Sequence, residues 1–307
     1  MDERASPQVA VAPENAPSWL ADAVRAGGGE VVPLAVADAL VWAEPHDGAG
    51  LSAALREHHR IRWVQLPWAG IEDYVPHLDD DHVWTCGKGV YSEPVAEMAL
   101  GLGLAGLRNL GPYARAGEWT GPVGTSLIGA NVSIIGGGGI AESLVSMLRA
   151  FRSRITVVRR SPDHIDGADD VLAPDRLVDA LSGADLVVLA LPLTEETDGL
   201  IGADEFSAME PHACLVNVAR GRHVVTADLV RALRNGTIGS AGLDVTDPEP
   251  LPAGHPLWSL PNCIVTPHTG NTPEMAIPLL SERVRRNVRH FAEGRDLIGL
   301  VNVDLGY

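Results

Sequence analysis

The stretch "NVSIIGGGGIAESL", residues 131–144, decides how this chain is read. A short apolar run enters four consecutive glycines, and an amphipathic segment leaves them. In that setting Gly136 and Gly138 have the G-x-G spacing of a strand–turn–helix unit that turns tightly and aims backbone N–H groups at a pyrophosphate. Gly139 and Ile140 then open the helix, whose positive end faces the anion. The usual third glycine is replaced by Ala141, a small departure, because that position serves close helix–strand packing. A glycine run alone is weak support for a nucleotide site. "GGGE" at 27–30 precedes a strand and has no phosphate reading.

Working outward, strand-length apolar runs alternate with amphipathic segments, the pattern of βα units feeding a parallel sheet. Downstream come "RITVVRR", "ADLVVLALP", "ACLVNVA", "SAGLDV" and "NCIVTPH". Upstream, "QVAVA" (8–12), "EVVPL" (30–34), "ALVWA" (39–43) and "IRWVQL" (61–66) read as strands, with "PSWLADAVRAG" and "GLSAALREHH" as helices. No glycine-rich turn follows the first of these strands; "PEN" stands there. Residues 93–116 read as one long helix opened by Pro94, and 272–294 as an amphipathic C-terminal helix. The nucleotide-like unit is thus expected to be inserted between an N-terminal α/β region and a helix that returns to it.

Bulk properties narrow the function. With 307 residues and 46% hydrophobic content, the chain has room for two globular domains. Its net charge of −17 opposes a nucleic-acid or anionic-membrane surface. Basic residues are almost all arginine, Lys88 being the one lysine. Three scattered cysteines form neither a zinc spacing nor a disulfide framework, and no signal peptide or bilayer-length apolar run is evident. A reducing cytoplasm, with no membrane or metal, is the expectation.

The residue closing the second strand of a dinucleotide fold separates NAD from NADP. An acid there would bind the ribose hydroxyls and repel a 2′-phosphate. This chain instead has Arg159, Arg160 and Ser161, a set suited to a phosphate dianion, with Asp163 and Asp166 falling late. An exposed basic strand end is the competing reading. We read NADP(H) as preferred and NAD(H) as possible.

Three further stretches place polar residues just beyond apolar strands, where ligands of open α/β sheets collect. They are "LVNVARGRHV" (215–224), "GLDVTDPEPLP" (242–252) and "IVTPHTG" (264–270). Arg220, Glu249 and His268 are what reduction of a 2-oxo acid needs. The arginine forks onto a carboxylate, the histidine protonates a carbonyl oxygen, and the carboxylate holds the imidazole and favours its charged form. Asp247 competes with Glu249 for the last role.

Together with "GVYSEPVAEMALGL", "GGGGIA" and "LPLTEETDGLI", these motifs resemble the D-isomer-specific 2-hydroxyacid dehydrogenase family, in its glyoxylate/hydroxypyruvate reductase-like branch. The resemblance spans nearly the whole chain and is strongest from about 88 to 270. It implies two doubly wound parallel-sheet α/β domains with the active site in their cleft. A flavodoxin-like substrate domain would take 1–93 and 272–307, and a Rossmann dinucleotide-binding domain 94–271. It implies Arg220, Glu249 and His268 as the catalytic set. Pro192 and Asp244 would lie on the cofactor, Asp244 against the nicotinamide carboxamide. Ala69 and Gly70 of "LPWAGIEDY" would hold the substrate carboxylate through their amides. It also implies a homodimer.

Trp68 is open between shaping a pocket and packing, Lys88 between attracting an anion and simple solvation, and His58 and His59 read as surface residues. Among rival activities, an NAD-using relative such as phosphoglycerate dehydrogenase is disfavoured because no regulatory domain is expected after the terminal helix. Formate dehydrogenase is disfavoured because it needs no paired proton donor. A non-catalytic dinucleotide-sensing protein is the reading of another class, and an intact catalytic set argues against it.

Overall fold

The computed structural model describes residues 6–303, 305 and 306; residues 1–5, 304 and 307, which the expected substrate domain includes, lie outside the described residues. The chain forms two compact units. One comprises the described residues up to Tyr91 and from Thr272 onward, and the other Ser92–Asn271.

In the first unit, β1 (Gln8–Ala12), α1 (Ser18–Ala26), β2 (Glu30–Val31), β3 (Ala39–Trp42), α2 (Gly48–Glu57), β4 (Trp63–Gln65) and β5 (Val83–Thr85) follow in order. These five strands pair in parallel, in the order β2-β1-β3-β4-β5, and Thr85 of β5 adds an isolated antiparallel bridge to Leu300. This is the flavodoxin-like winding. Only Glu30–Val31 of "EVVPL" is strand; Pro33 has no N–H for a ladder and leads into a 3₁₀ turn at Leu34–Val36.

The second unit opens with α3 (Ser92–Leu107) and α4 (Leu110–Arg115). The single helix expected over 93–116 is therefore two. The break falls at Asn109, which takes a left-handed φ of 55°, a conformation asparagine tolerates better than most residues. Then come β6 (Asn131–Ile135), α5 (Gly139–Leu148), β7 (Arg154–Val158), β8 (Asp170–Leu172), α6 (Leu177–Leu181) and β9 (Leu186–Leu189). The unit is completed by α7 (Ala203–Ala208), β10 (Cys214–Asn217), α8 (Thr226–Asn235), β11 (Ser240–Leu243) and β12 (Cys263–Val265).

The seven parallel strands run β12-β11-β10-β9-β6-β7-β8, a Rossmann order extended by one strand. Central strands such as β9 and β10 are buried at every position. That burial on both faces explains why they read as continuous apolar runs rather than alternating ones. The chain reverses direction across the sheet between β6 and β9, so the glycine run after β6 sits at the switch point.

The last helix, α9 (Pro273–Glu293), belongs to the first unit. Its Val284 and Val288 share a core with Leu20, Ala23 and Val24 of α1 and with Trp63 of β4.

Candidate active site

The glycine run is a built cradle. Gly136 has φ 120° and donates its N–H to Val158 O at 2.8 Å. A Cβ there would lie 2.1 Å from Ala190 O, so no other residue allows the turn to pass this close to the end of β9. Gly138 caps α5, and the helical ladder starts with Glu142 N donating to Gly138 O at 3.1 Å. The amides of Gly139, Ile140 and Ala141 precede that ladder, at the helix end that favours an anion. Ala141 itself is wholly buried beside Leu144 and Val145.

Beyond β7, Arg159 N donates to Leu172 O at 3.0 Å. Its side chain lies on the glycine run: a Cβ built on Gly137 would fall 2.6 Å from Arg159 Cδ. Arg160 and Ser161 are exposed. Across from them, a hydrogen bond from Thr194 holds the Glu196 carboxyl below its usual range, helped by its own backbone amide and by the charge of Arg160. Asp166 is turned toward Arg149 at 3.9 Å, and Asp163 is exposed. Pro192 follows β9, its carbonyl accepting from Thr197 Oγ1 at 2.9 Å. A tight glycine turn, open helix amides and a guanidinium laid over them fit a phosphorylated dinucleotide.

Arg220, Glu249 and His268 follow β10, β11 and β12, and a run of hydrogen bonds beyond the strands ties their loops together. Buried Asn217 shapes the arginine turn, its Oδ1 accepting from Ala219 N at 3.0 Å and its Nδ2 donating to Arg220 O at 2.8 Å. Arg220 Nη1 donates to Ala219 O at 2.8 Å. Gly221 presses on the next loop so closely that a Cβ would sit 2.0 Å from Thr246 C and O. Asp244 N donates to Asn217 O at 3.0 Å, and His268 N to Asp244 O at 2.8 Å.

His268 takes a left-handed φ of 52°, and its Nδ1 lies 2.7 Å from Glu249 Oε1. Both side chains are about half exposed, at 53% and 42%. Pairing through Nδ1 leaves Nε2 as the nitrogen able to hand on a proton. The backbone carbonyl of Asp247, the competing acid, accepts from Thr226 Oγ1 at 2.8 Å.

The structure shows a use for Asp244 that sequence reasoning missed. Its buried carboxylate accepts from Thr266 Oγ1 at 2.5 Å, Thr269 N at 2.9 Å and Gly270 N at 2.8 Å. It therefore builds the loop that carries His268. The polar run T-P-H-T-G was the available signal, but nothing in it names the acceptor.

Ala69 and Gly70 lie in the first unit, in the loop after β4. Cys86 Sγ contacts Ala69 O at 3.9 Å, and Gly87 N donates to Trp68 O at 2.7 Å. Trp68 is 40% exposed and tilts against Tyr91, with ring centroids 6.4 Å apart. The backbone of Lys88 is held from both sides, its N–H by Cys86 Sγ and its carbonyl by Arg283 Nη2. His58 ends α2, and His59 is exposed. Among the described residues, no group of His, Cys, Asp and Glu could hold a metal ion, and no helix is long and apolar enough to cross a membrane.

Comparison with known proteins converges on one family. The family profile described as D-isomer specific 2-hydroxyacid dehydrogenase, NAD binding domain, matches residues 98–270. The chain is 30% identical over 283 residues to glyoxylate/hydroxypyruvate reductase A of Serratia proteamaculans, covering 88% of this chain and 87% of that one. A D-isomer specific 2-hydroxyacid dehydrogenase from Xanthobacter autotrophicus, solved with NADPH and MES, superposes with a TM-score of 0.84. It is 25% identical, and the match covers 99% of this chain and all of that one. An NADPH-dependent glyoxylate/hydroxypyruvate reductase from Sinorhizobium meliloti, solved with NADP and sulfate, gives a TM-score of 0.81 at 25% identity, covering 98% of this chain and 100% of that chain. With its two parallel sheets and its motifs in family order, this chain belongs to the D-isomer-specific 2-hydroxyacid dehydrogenases, NAD(P)-dependent oxidoreductases, in their glyoxylate/hydroxypyruvate reductase-like branch.

Proposed function

We propose that the protein is an NADPH-dependent reductase of a small 2-oxo acid, glyoxylate and hydroxypyruvate leading, and that it yields the D-2-hydroxy acid. The observation that carries this reading is the His268–Glu249 pair, 2.7 Å apart at the strand ends beside the Arg220 turn. NADPH, when bound, would supply the hydride for the carbonyl carbon. The Arg220 guanidinium forks onto the substrate carboxylate and, with the amides of Ala69 and Gly70, fixes which carbon is presented. His268 gives the proton on Nε2 to the carbonyl oxygen. Glu249 keeps the ring in that tautomer and stabilises the imidazolium before transfer.

The preference for NADPH over NADH is supported by Arg159 lying on the glycine run, with Arg160 and Ser161 next in line and no carboxylate closing β7. A homodimer through the second unit is part of the same reading. It is supported by Leu110, Trp119, Val123 and Ile128, which expose 52%, 100%, 66% and 58% of their surface along one segment. Three buried free cysteines are in keeping with a reducing cytoplasm.

The test is initial-rate kinetics with NADPH and NADH against glyoxylate, hydroxypyruvate, pyruvate and bulkier 2-oxo acids. Reduction of the small acids with NADPH is expected, with bulkier 2-oxo acids turned over more slowly. No reduction of any of these acids would sink the reading as a 2-oxo acid reductase, and equal use of NADH would sink the cofactor assignment.

A further inference from the structure

The segment after β9 carries Pro192 and folds back on itself through Thr197. Thr197 Oγ1 accepts from Thr194 N at 2.8 Å and donates to Pro192 O at 2.9 Å. Farther on, backbone bonds lace the chain to the residues after Arg220. Gly199 N donates to Arg222 O at 2.8 Å, Ile201 N to His223 O at 2.9 Å, and Val225 N to Ile201 O at 3.0 Å.

One side chain joins both ends of the segment to that turn. The His223 imidazole is fully buried, with Nδ1 2.9 Å from Thr197 O and Nε2 3.1 Å from Leu191 O. Both partners are carbonyl oxygens, which only accept. A neutral imidazole has a single N–H, so it satisfies one carbonyl and turns a lone pair on the other; an imidazolium satisfies both. An apolar side chain would fill the same space without facing either carbonyl.

We propose that His223 is a positioning residue that ties the 191–197 segment to the Arg220 turn. The neutral ring holds the Thr197 end through Nδ1, and the Leu191 end is held only when the ring takes a second proton. Through Pro192 the tie sets one wall of the dinucleotide site, and to that extent the inference rests on the reading proposed above.

The surroundings of the ring agree with a proton that is taken up reluctantly. Burial is the largest influence and pushes the imidazole below its ordinary range. The two carbonyls act in the opposite direction. The charged groups that face the ring are Arg220, on its own turn, and Asp198, on the segment it holds. Arg220 pushes further down and Asp198 pulls up, while Asp198 is itself paired with Arg222. Toward neutral pH burial keeps the ring neutral, so one of the two carbonyls, at 2.9 and 3.1 Å, faces a lone pair rather than an N–H. A second proton, in acid, satisfies both.

The experiment has two arms. In the first, ¹⁵N spectra of the imidazole in the unliganded wild-type protein are followed with pH. A single N–H on Nδ1 is expected at high pH, with both nitrogens protonated in acid and slower hydrogen exchange at 191–197 as the second proton binds. A ring that never takes the second proton in the folded protein, or that carries its single N–H on Nε2, overturns the proposal.

In the second arm, His223→Leu and His223→Gln are compared with wild type. Cooperative unfolding should persist in at least the glutamine variant, which keeps one donor. Exchange at 191–199 should quicken by about tenfold, and the NADPH dissociation constant, by fluorescence titration at about pH 8, should rise by about tenfold. That pH lies above the phosphate's own titration. Unchanged exchange overturns the tie. Faster exchange with unchanged NADPH affinity overturns its service to the cofactor site. Failure of the wild type itself to bind NADPH would instead bring down the functional reading and leave the exchange arm to judge the tie.

Discussion

The turns after β1 and β6 occupy the same topological place and do opposite things. Each follows the first strand of a parallel α/β unit, at the point where strand order reverses. In each, the residue just past the strand across the switch donates back: Ala43 N to Ala12 O and Ala190 N to Ile135 O, both 2.8 Å. There the likeness ends. The turn after β1 reads P-E-N-A-P and enters α1 through Pro17. Its two prolines have no N–H to offer, and exposed Glu14 repels anions. The turn after β6 has Gly136 squeezed against Ala190 and a helix whose first amides stand open. Parallel winding therefore supplies a switch point, and a handful of residues decides whether it holds a phosphate.

The comparison should break most sharply at His268, the proposed proton donor, because the turn after β1 is given no such role. His268→Ala is expected to lower kcat for glyoxylate reduction by about 10³-fold, within the range for a lost general acid. NADPH affinity, which the proposal assigns to the glycine turn, should stay within about twofold in a fluorescence titration. Retained turnover would remove His268 from its role.

Gly136→Ala comes next. The added methyl meets Ala190 O at a position where L residues are already strained, so about 2–4 kcal/mol of stability should be lost, with NADPH binding. Asn15→Ala in the turn after β1 should stay within about 0.5 kcal/mol, as exposed substitutions do. Urea denaturation of both variants checks the pair. Equal losses would mean that the two turns are not different in kind.

Local patterns were legible and long-range ones were not. The inner strands of the second sheet stood out because burial on both faces leaves apolar runs such as "LVVL" and "CLVN". The edge strands Val83–Thr85 and Asp170–Leu172 did not, being three residues long and flanked by "DDDH" and "DGAD". Pro33 marks where β2 stops, and Asn109, with interior glycines before it, marks where the long helix breaks. The positions of Arg220 and His268 beyond β10 and β12 were legible from the apolar runs before them, whereas Glu249 was chosen over Asp247 only through the family resemblance. The acceptor role of Asp244, the approach of Gly221 to Thr246 and the two carbonyls around His223 all depend on contacts between loops. No spacing rule encodes those.

The basic end of β7 sharpens the comparison from the ligand's side, since on the proposed reading the glycine turn should owe its choice of dinucleotide to Arg159 and Arg160 rather than to its glycines. Arg159→Asp with Arg160→Ala removes two charge-assisted donors and adds a repelling acid. The ratio of kcat/KM for NADPH over NADH should fall by about 10–100-fold, in line with about 1.5–3 kcal/mol for hydrogen bonds to charged groups. A ratio that stays put would place the 2′-phosphate elsewhere, with the exposed basic strand end as the explanation.

The smallest effect is expected where the glycine pattern itself departs from the rule. Ala141 stands where a third glycine would be, and it is wholly buried in a core shared with Leu144, Val145 and, from α3, Ala96, Ala99 and Leu102. Restoring the pattern with Ala141→Gly removes a methyl from the core and loosens the first turn of α5. The first loss is about 0.8 kcal/mol for one buried methyl group, and the second is about 0.8–1 kcal/mol of helix propensity. Stability should therefore drop by about 1–2 kcal/mol, while NADPH affinity stays within about twofold. If affinity improved instead, the third position would be shaping the anion site, and the division of labour between Gly136, which seats the turn, and residue 141, which seats the helix, would have to be withdrawn.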